Sequence, residues 1–197
     1  MPQEGTEVQV RAGTAADLAA LTEIYNHYVR ETPITFDTAP FTPEQRRDWL
    51  LSYPEDGPYR LLVAQDVPNV DSSSSGCPAG SSTAGILGYA TSSPFRPKAA
   101  YSTSVEVSVY CAPRATGRGI GTLLYEALFE ALKDEDLHRA YAGIAVGTSA
   151  EGGGANAASA RLHARFGFRH IGTYEQVGRK FGRYWDVAWY EKRLTQD

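Results

Sequence analysis

Four segments of this sequence carry residue types that could act on a ligand. One is Arg114-Ala115-Thr116-Gly117-Arg118-Gly119-Ile120-Gly121-Thr122, a basic, glycine-rich turn between an alternating apolar stretch and an amphipathic helix pattern. The leading N–H groups of a helix have no partner within it and point where an anion can sit. Gly117, Gly119 and Gly121 hold no side chain in the way. The backbone of Arg118, Gly119, Ile120, Gly121 and Thr122 can therefore cradle a pyrophosphate, although a plain tight connection looks the same. A nucleotide P-loop is excluded because no lysine precedes Thr122. A dinucleotide fingerprint is excluded because the glycines alternate instead of following G-x-G-x-x-G with an acidic residue about 20 positions on.

Upstream, Val105, Val107, Val109 and Cys111 alternate with Glu106, Ser108 and Tyr110, the pattern of a strand with one apolar face. The carboxylate of Glu106 on the other face is either a solvated surface group or a base. Cys111 shares the face of the valines and reads as core, not as an acyl carrier. Downstream, Asn156 stands as an N-cap before a helix that carries Leu162, His163 and Phe166 and stops at Gly167. His163 is there either a structural residue or a proton carrier near neutral pH. The remaining segment, Pro94-Phe95-Arg96-Pro97-Lys98-Ala99-Ala100-Tyr101, places two cations and an aromatic just before the Glu106 strand. It is a solvated basic loop or an anion site.

The elements that position these groups follow from periodicity. Val8 and Val10 start a strand, and Leu18, Leu21, Tyr25 and Tyr28 stripe the helix after it. Thr42-Pro43 opens a second helix that ends before Pro54. Strands are expected at 59–64, 86–90, 101–111 and 139–146, and Ile120, Leu123, Leu124, Ala127, Leu128, Ala131 and Leu132 stripe the helix after the glycine turn. A closing hairpin over 168–177 and 185–192 turns near Gly182. The alternation is that of an α/β domain, with 1–197 as one domain and 66–83 as a flexible insertion rich in Ser, Gly and Pro. A net charge of -4 argues against a nucleic-acid or membrane-surface role, and no apolar run approaches the roughly 20 residues of a membrane span. With no secretory signal pattern at the start, a cytoplasmic location is expected. The two cysteines, Cys77 and Cys111, form neither a disulfide framework nor a metal-ligand spacing, so no metal is expected.

Together these motifs resemble the GNAT N-acetyltransferases, whose cofactor loop reads Gln/Arg-x-x-Gly-x-Gly/Ala; Thr116 here departs from the usual first residue. Within that family the chain is similar to the phosphinothricin N-acetyltransferase subfamily. The similarity is carried by Ile24-Tyr25-Asn26-His27-Tyr28, Tyr101, Val105-Glu106, Val109-Tyr110, Pro113-Arg114, Leu162-His163 and Trp185-Asp186-Val187, in order, from Val10 to about Leu194. The resemblance implies the GNAT fold, a mixed splayed sheet flanked by helices, with acetyl-CoA as acetyl donor and a small amino-acid-like amine as acceptor. It makes Glu106 the general base and His163 an acid or co-base. Val109, Tyr110 and Cys111, with Asn156, would meet the pantetheine arm, and residues 117–122 the pyrophosphate. Phe36, Arg96, Lys98 and Tyr101 would bind the amine substrate, and the chain would form a homodimer. A GNAT enzyme for another amine, such as a peptide N-terminus or a polyamine, and a non-catalytic acetyl-CoA-binding domain are the alternatives. The basic run 179–184 is expected to be a surface or dimer contact.

Overall fold

The computed structural model describes residues 7–67, 85–147 and 157–195. Seven strands form one sheet in the order β1-β2-β3-β4-β5-β7-β6. They are β1 (Glu7–Ala12), β2 (Leu61–Val67), β3 (Ile86–Pro94), β4 (Ser104–Cys111), β5 (Arg139–Val146), β6 (Arg169–Lys180) and β7 (Arg183–Arg193). Every neighbouring pair is antiparallel except β4 and β5. Parallel neighbours need a crossover, and α3 (Ile120–Leu132) supplies it. The other helices are α1 (Leu18–Glu31), α2 (Arg47–Leu51) and α4 (Ala157–Arg165). No helix among the described residues is long and apolar enough to cross a membrane.

The core lies where the helical stripes meet the sheet. Ile120, Leu124, Leu128 and Leu132 of α3 are buried against Leu87, Val105 and Val107, as the 3.6-residue and two-residue periods require. Each such leucine contributes about 1.5–3 kcal/mol by leaving water. Helices α1 and α3 take opposite faces of β4. Tyr25 and Tyr28 of α1 set their rings 5.2 Å from that of Tyr110. The Cα of Gly121 in α3 instead faces the Val109 and Cys111 side chains, so closely that a methyl there would come within 3.9 Å of Cys111 Sγ.

Several boundaries differ from the sequence-based expectation. The second helix is short: Thr42 and Gln45 cap one another reciprocally, a tight turn over Glu44–Arg46 follows, and α2 holds five residues. The closing hairpin is longer than expected because Phe181 and Gly182 both take positive φ, the two-residue turn that matches strand twist. Within it, pairing shifts between Tyr174 and Gly178, and the Asp186 carboxylate accepts the Gln176 N–H at 2.7 Å to hold the bulge. The segment 66–83 begins in β2; its remainder and Asn156 lie outside the described residues.

Candidate active site

The parallel pair β4–β5 is registered at only three positions, Ser104 with Arg139, Val105 with Ala140 and Glu106 with Tyr141. Meanwhile β5 continues alongside β7 as far as Val146. The two central strands therefore part just after Glu106. Alternation in an antiparallel ladder tells which backbone groups face the opening. Ala112 N–H bonds Leu87 C=O and Phe95 N–H bonds Ser104 C=O, so Ser104, Glu106, Ser108 and Tyr110 point their backbone groups at β3. Val107, Val109 and Cys111 point theirs into the opening. Tyr110 was expected to offer its backbone to a cofactor; β3 engages that backbone, and its ring is packed among Tyr25, Tyr28 and Tyr89. Cys111 is closed off too: the Tyr28 hydroxyl donates to its carbonyl at 2.7 Å and accepts its N–H at 3.3 Å. The Glu106–Tyr141 register still pairs the Val107 N–H with the Tyr141 carbonyl, so the open edge consists of the Val107 carbonyl and Val109. Burial pushes the Cys111 thiol up to about 11, which leaves it protonated and inert at neutral pH.

At the far end of the opening, α3 begins at Ile120 with Gly119 as its N-cap. Gly117 and Gly119 have φ of +80° and +78° with open space where a side chain would begin, so the backbone turn is what requires glycine at both. Gly121 has a different reason. A methyl there would lie 3.2 Å from Leu162 of α4, so this glycine lets α3 and α4 pack closely beside β4. The N–H groups of Ile120 and Gly121 are those of a first helical turn, while Thr122 N–H closes on Gly119 C=O. Arg118 ties the turn to the end of β2 through Asp66 at 3.0 Å.

Glu106 is half-buried, and burial raises its proton affinity while the Arg96 guanidinium, 3.9 Å away, lowers it. Arg96 lies over the Phe95 ring, Phe95 stacks on Tyr141 at 4.2 Å, and Tyr101 packs on Phe95. Of the expected substrate loop, Arg96 reaches Glu106 and Tyr101 reaches the Phe95 ring, while Lys98 makes neither contact; all three are exposed. Phe36 lies elsewhere, flat on the Gly178 backbone of β6 where any side chain would collide with it. Lys180, expected at the surface with its neighbours, is buried; its ammonium donates to Thr35 C=O at 2.7 Å and Tyr28 C=O at 3.4 Å, anchoring the segment that carries Phe36.

His163 sits in the α3–α4 interface at 4% exposure, among the rings of Tyr125, Phe168 and Tyr190. Its Nδ1 lies 2.8 Å from the Ser159 carbonyl, which can only accept, so Nδ1 carries the proton and Nε2 accepts from the Tyr125 hydroxyl at 2.9 Å. Burial depresses its pKa, which keeps the ring neutral.

Sequence reasoning missed a cavity of about 290 Å³ on the Glu106 face of β3 and β4. Its floor is Tyr89, Ser93, Ser108 and Tyr110, and its walls are Tyr25, Asp37, Phe41, Arg46, Trp49 and Tyr53. Ser93 is registered directly opposite Glu106, and Ser108 is the next residue on the same face. The signal was present in part, as the aromatics Tyr25, Trp49, Tyr53 and Tyr89 beside polar residues, but helical periodicity assigns Tyr25 to the core and nothing in the spacing brings the four together.

A mixed sheet that opens between its two parallel strands, with a glycine-turned helix N-terminus at the end of the opening and a carboxylate at its start, defines a CoA-dependent acyltransferase. Residues 21–168 match the model of the acetyltransferase (GNAT) family, and the chain belongs to that family. It is 66% identical over 188 residues to a phosphinothricin N-acetyltransferase of Streptomyces coelicolor, covering 95% of this chain and 97% of the relative. It is 34% identical to an L-methionine sulfoximine/L-methionine sulfone acetyltransferase of Pseudomonas paraeruginosa, covering 94% of each. Among solved structures, a GNAT superfamily phosphinothricin acetyltransferase of Sinorhizobium meliloti in complex with acetyl-CoA superposes with a TM-score of 0.76 at 29% identity, covering 95% of this chain and 88% of the other.

Proposed function

We propose that this enzyme transfers the acetyl group of acetyl-CoA to the α-amine of a small amino-acid-like substrate of the phosphinothricin, methionine sulfone or methionine sulfoximine type, by direct attack with both reactants bound. One observation carries the reading: Glu106, a carboxylate of raised proton affinity, stands where β4 loses its parallel partner, so a base adjoins an open backbone edge. An ammonium has no lone pair, and Glu106 takes its proton, directly or through a water. Val109 offers an N–H to the acetyl oxygen as negative charge develops there. Ile120 and Gly121 present first-turn N–H groups to the pyrophosphate, with Gly117, Arg118, Gly119 and Thr122 shaping the turn. Asn156 would bind the pantetheine arm. Arg96 holds the substrate carboxylate beside Glu106, and Tyr101 and Lys98 flank it; Phe36, packed on Gly178, has no part in this reading. Acetyl-CoA supplies the activated acyl group when bound; the side chains supply proton removal and alignment.

His163 acts in this reading as a positioning residue. With both nitrogens engaged inside the core it fixes α4 against α3, and through Leu162 and Gly121 it sets the helix N-terminus. A homodimer is supported by the edge strand β6, whose Ile171, Tyr174 and Val177 are 44–55% exposed with Phe181 and Tyr184 beyond them. An edge strand that presents such side chains invites a partner. The net charge of -4 suits small-molecule chemistry in the cytoplasm better than a polyanionic partner, and detoxification of the amino acid is the role such a reaction serves.

Thiol release from acetyl-CoA tests the reading across L-phosphinothricin, methionine sulfone, methionine sulfoximine, ordinary amino acids, spermidine and a short peptide. Saturable release with the first three is expected. Release only with the peptide or polyamine would overturn the substrate class, and acetyl-CoA binding without turnover on any amine would point to a non-catalytic domain. The pH profile gives a second check. Burial raises the Glu106 pKa and Arg96 opposes it, so Arg96→Met leaves burial unopposed and the acidic limb of kcat/KM moves to higher pH. A limb that stays in place would separate Arg96 from the base.

A further inference from the structure

The cavity beside Glu106 contains two buried groups whose hydrogen-bonding capacity the fold leaves largely unused. Tyr89 is 1% exposed, and its hydroxyl has no hydrogen-bond partner. A buried hydroxyl left unpaired is destabilising, and phenylalanine would fill the same space without that cost. Arg46 is 6% exposed, with its guanidinium held between the rings of Tyr25 at 4.4 Å and Trp49 at 3.8 Å. It gives one hydrogen bond, to the Leu21 carbonyl at 3.1 Å, and no carboxylate lies within salt-bridge distance of it among the described residues. A guanidinium has five N–H donors in a planar fork, so most of them remain for something else. Burial raises the proton affinity of the Tyr89 hydroxyl and the neighbouring Arg46 guanidinium opposes it, so both groups address the same part of the cavity. Asp37 also lines the space, but its carboxylate accepts the Tyr25 hydroxyl.

Resting on the activity proposed above, we infer that this cavity receives the side-chain end of the amino acid, and that the Tyr89 hydroxyl and Arg46 guanidinium recognise the oxygens of a phosphinate or sulfonyl group there. The placement fits. Glu106 and Ser108 project from one face of β4, about 7 Å apart, so an amine at Glu106 leaves its side chain directed past Ser108 into the cavity. The aromatic walls suit the methylene and methyl groups of such a side chain, and the polar end suits its oxygens. A thioether of the same length, as in methionine, brings no oxygen to either group and leaves both unpaired, which is the stronger form of discrimination.

The test compares kcat/KM for methionine sulfone with that for methionine, in the wild type and in Tyr89→Phe. The wild type is expected to prefer the sulfone, and Tyr89→Phe to reduce that preference about tenfold, the loss falling on the sulfone's kcat/KM. Because the hydroxyl is unpaired in the free protein, the same variant should keep or raise Tm. Arg46→Lys, which keeps the charge and loses the fork, should reduce the preference in the same direction. An unchanged preference in Tyr89→Phe overturns the inference, as does a lowered Tm with equal losses on both substrates, which would give the hydroxyl a structural role. A wild type silent with every amino acid overturns the proposed function itself, and this inference with it.

Discussion

Glu106→Gln is expected to lower kcat by about 10²–10⁴-fold, the range that a positioned general base supplies. The substitution keeps the shape of the side chain and removes only its ability to accept a proton. The acetyl-CoA KM should stay within about twofold, because a group needed only in the transition state leaves ground-state binding alone. Single-turnover thiol release measures both. A kcat near the wild-type value would show that the amine loses its proton to solvent before binding, and would return Glu106 to the status of a surface carboxylate. His163 should respond differently. His163→Phe removes a hydrogen-bonded residue from the α3–α4 interface, so its effect should appear in Tm and in the acetyl-CoA KM before it appears in the chemical step.

Gly88→Val is expected to produce the largest loss of stability. Gly88 faces Cys111 across the β3–β4 pair, and a methyl on it would stand 2.7 Å from the Tyr110 carbonyl oxygen and 3.1 Å from Cys111 Cα. Both are backbone atoms, so the strands themselves must separate, and Leu124 at 3.4 Å blocks escape toward α3. A cost of at least about 3 kcal/mol follows, which lowers Tm by roughly 6–12 °C in a chain of this size. The displacement falls where the Tyr28 hydroxyl brackets Cys111, so any folded fraction should also show a raised acetyl-CoA KM. Thermal unfolding monitored by circular dichroism would settle the first point, and a wild-type Tm would mean that β3 and β4 have room to spare at this position.

Much of the site was legible because it depends on local rules. Alternation along 105–111 put Glu106 on the face opposite its valines, and the stripe Ile120, Leu124, Leu128 and Leu132 placed a helix N-terminus behind the glycine turn. What periodicity could not reveal was where two strands stop pairing. The parting of β4 from β5 is a property of the whole sheet, set by β7 holding β5 and β3 holding β4, and it decides that Val109, not Tyr110, presents free backbone. The cavity was hidden for a similar reason. No motif or spacing singles out Arg46, and only the arrival of Tyr25 and Trp49 on either side of its guanidinium makes its burial tolerable. Lys180 was misplaced likewise: a lysine in a basic hairpin run suggests solvent, yet two carbonyls from distant segments draw it inside. For His163, sequence position pointed to chemistry, while the partners of its two nitrogens, Tyr125 and Ser159, point to packing.

The opposite placement of α1 and α3 on β4 has a bearing on traffic through the enzyme. The cavity and Glu106 belong to the α1 face, and the helix N-terminus to the α3 face, so on the proposed reading the two reactants would come in by separate doors and meet only at the gap between the parted strands. Neither stands in the other's path. On the proposed reading the order of arrival would be free, and a product held on one side would not lock out fresh reactant on the other.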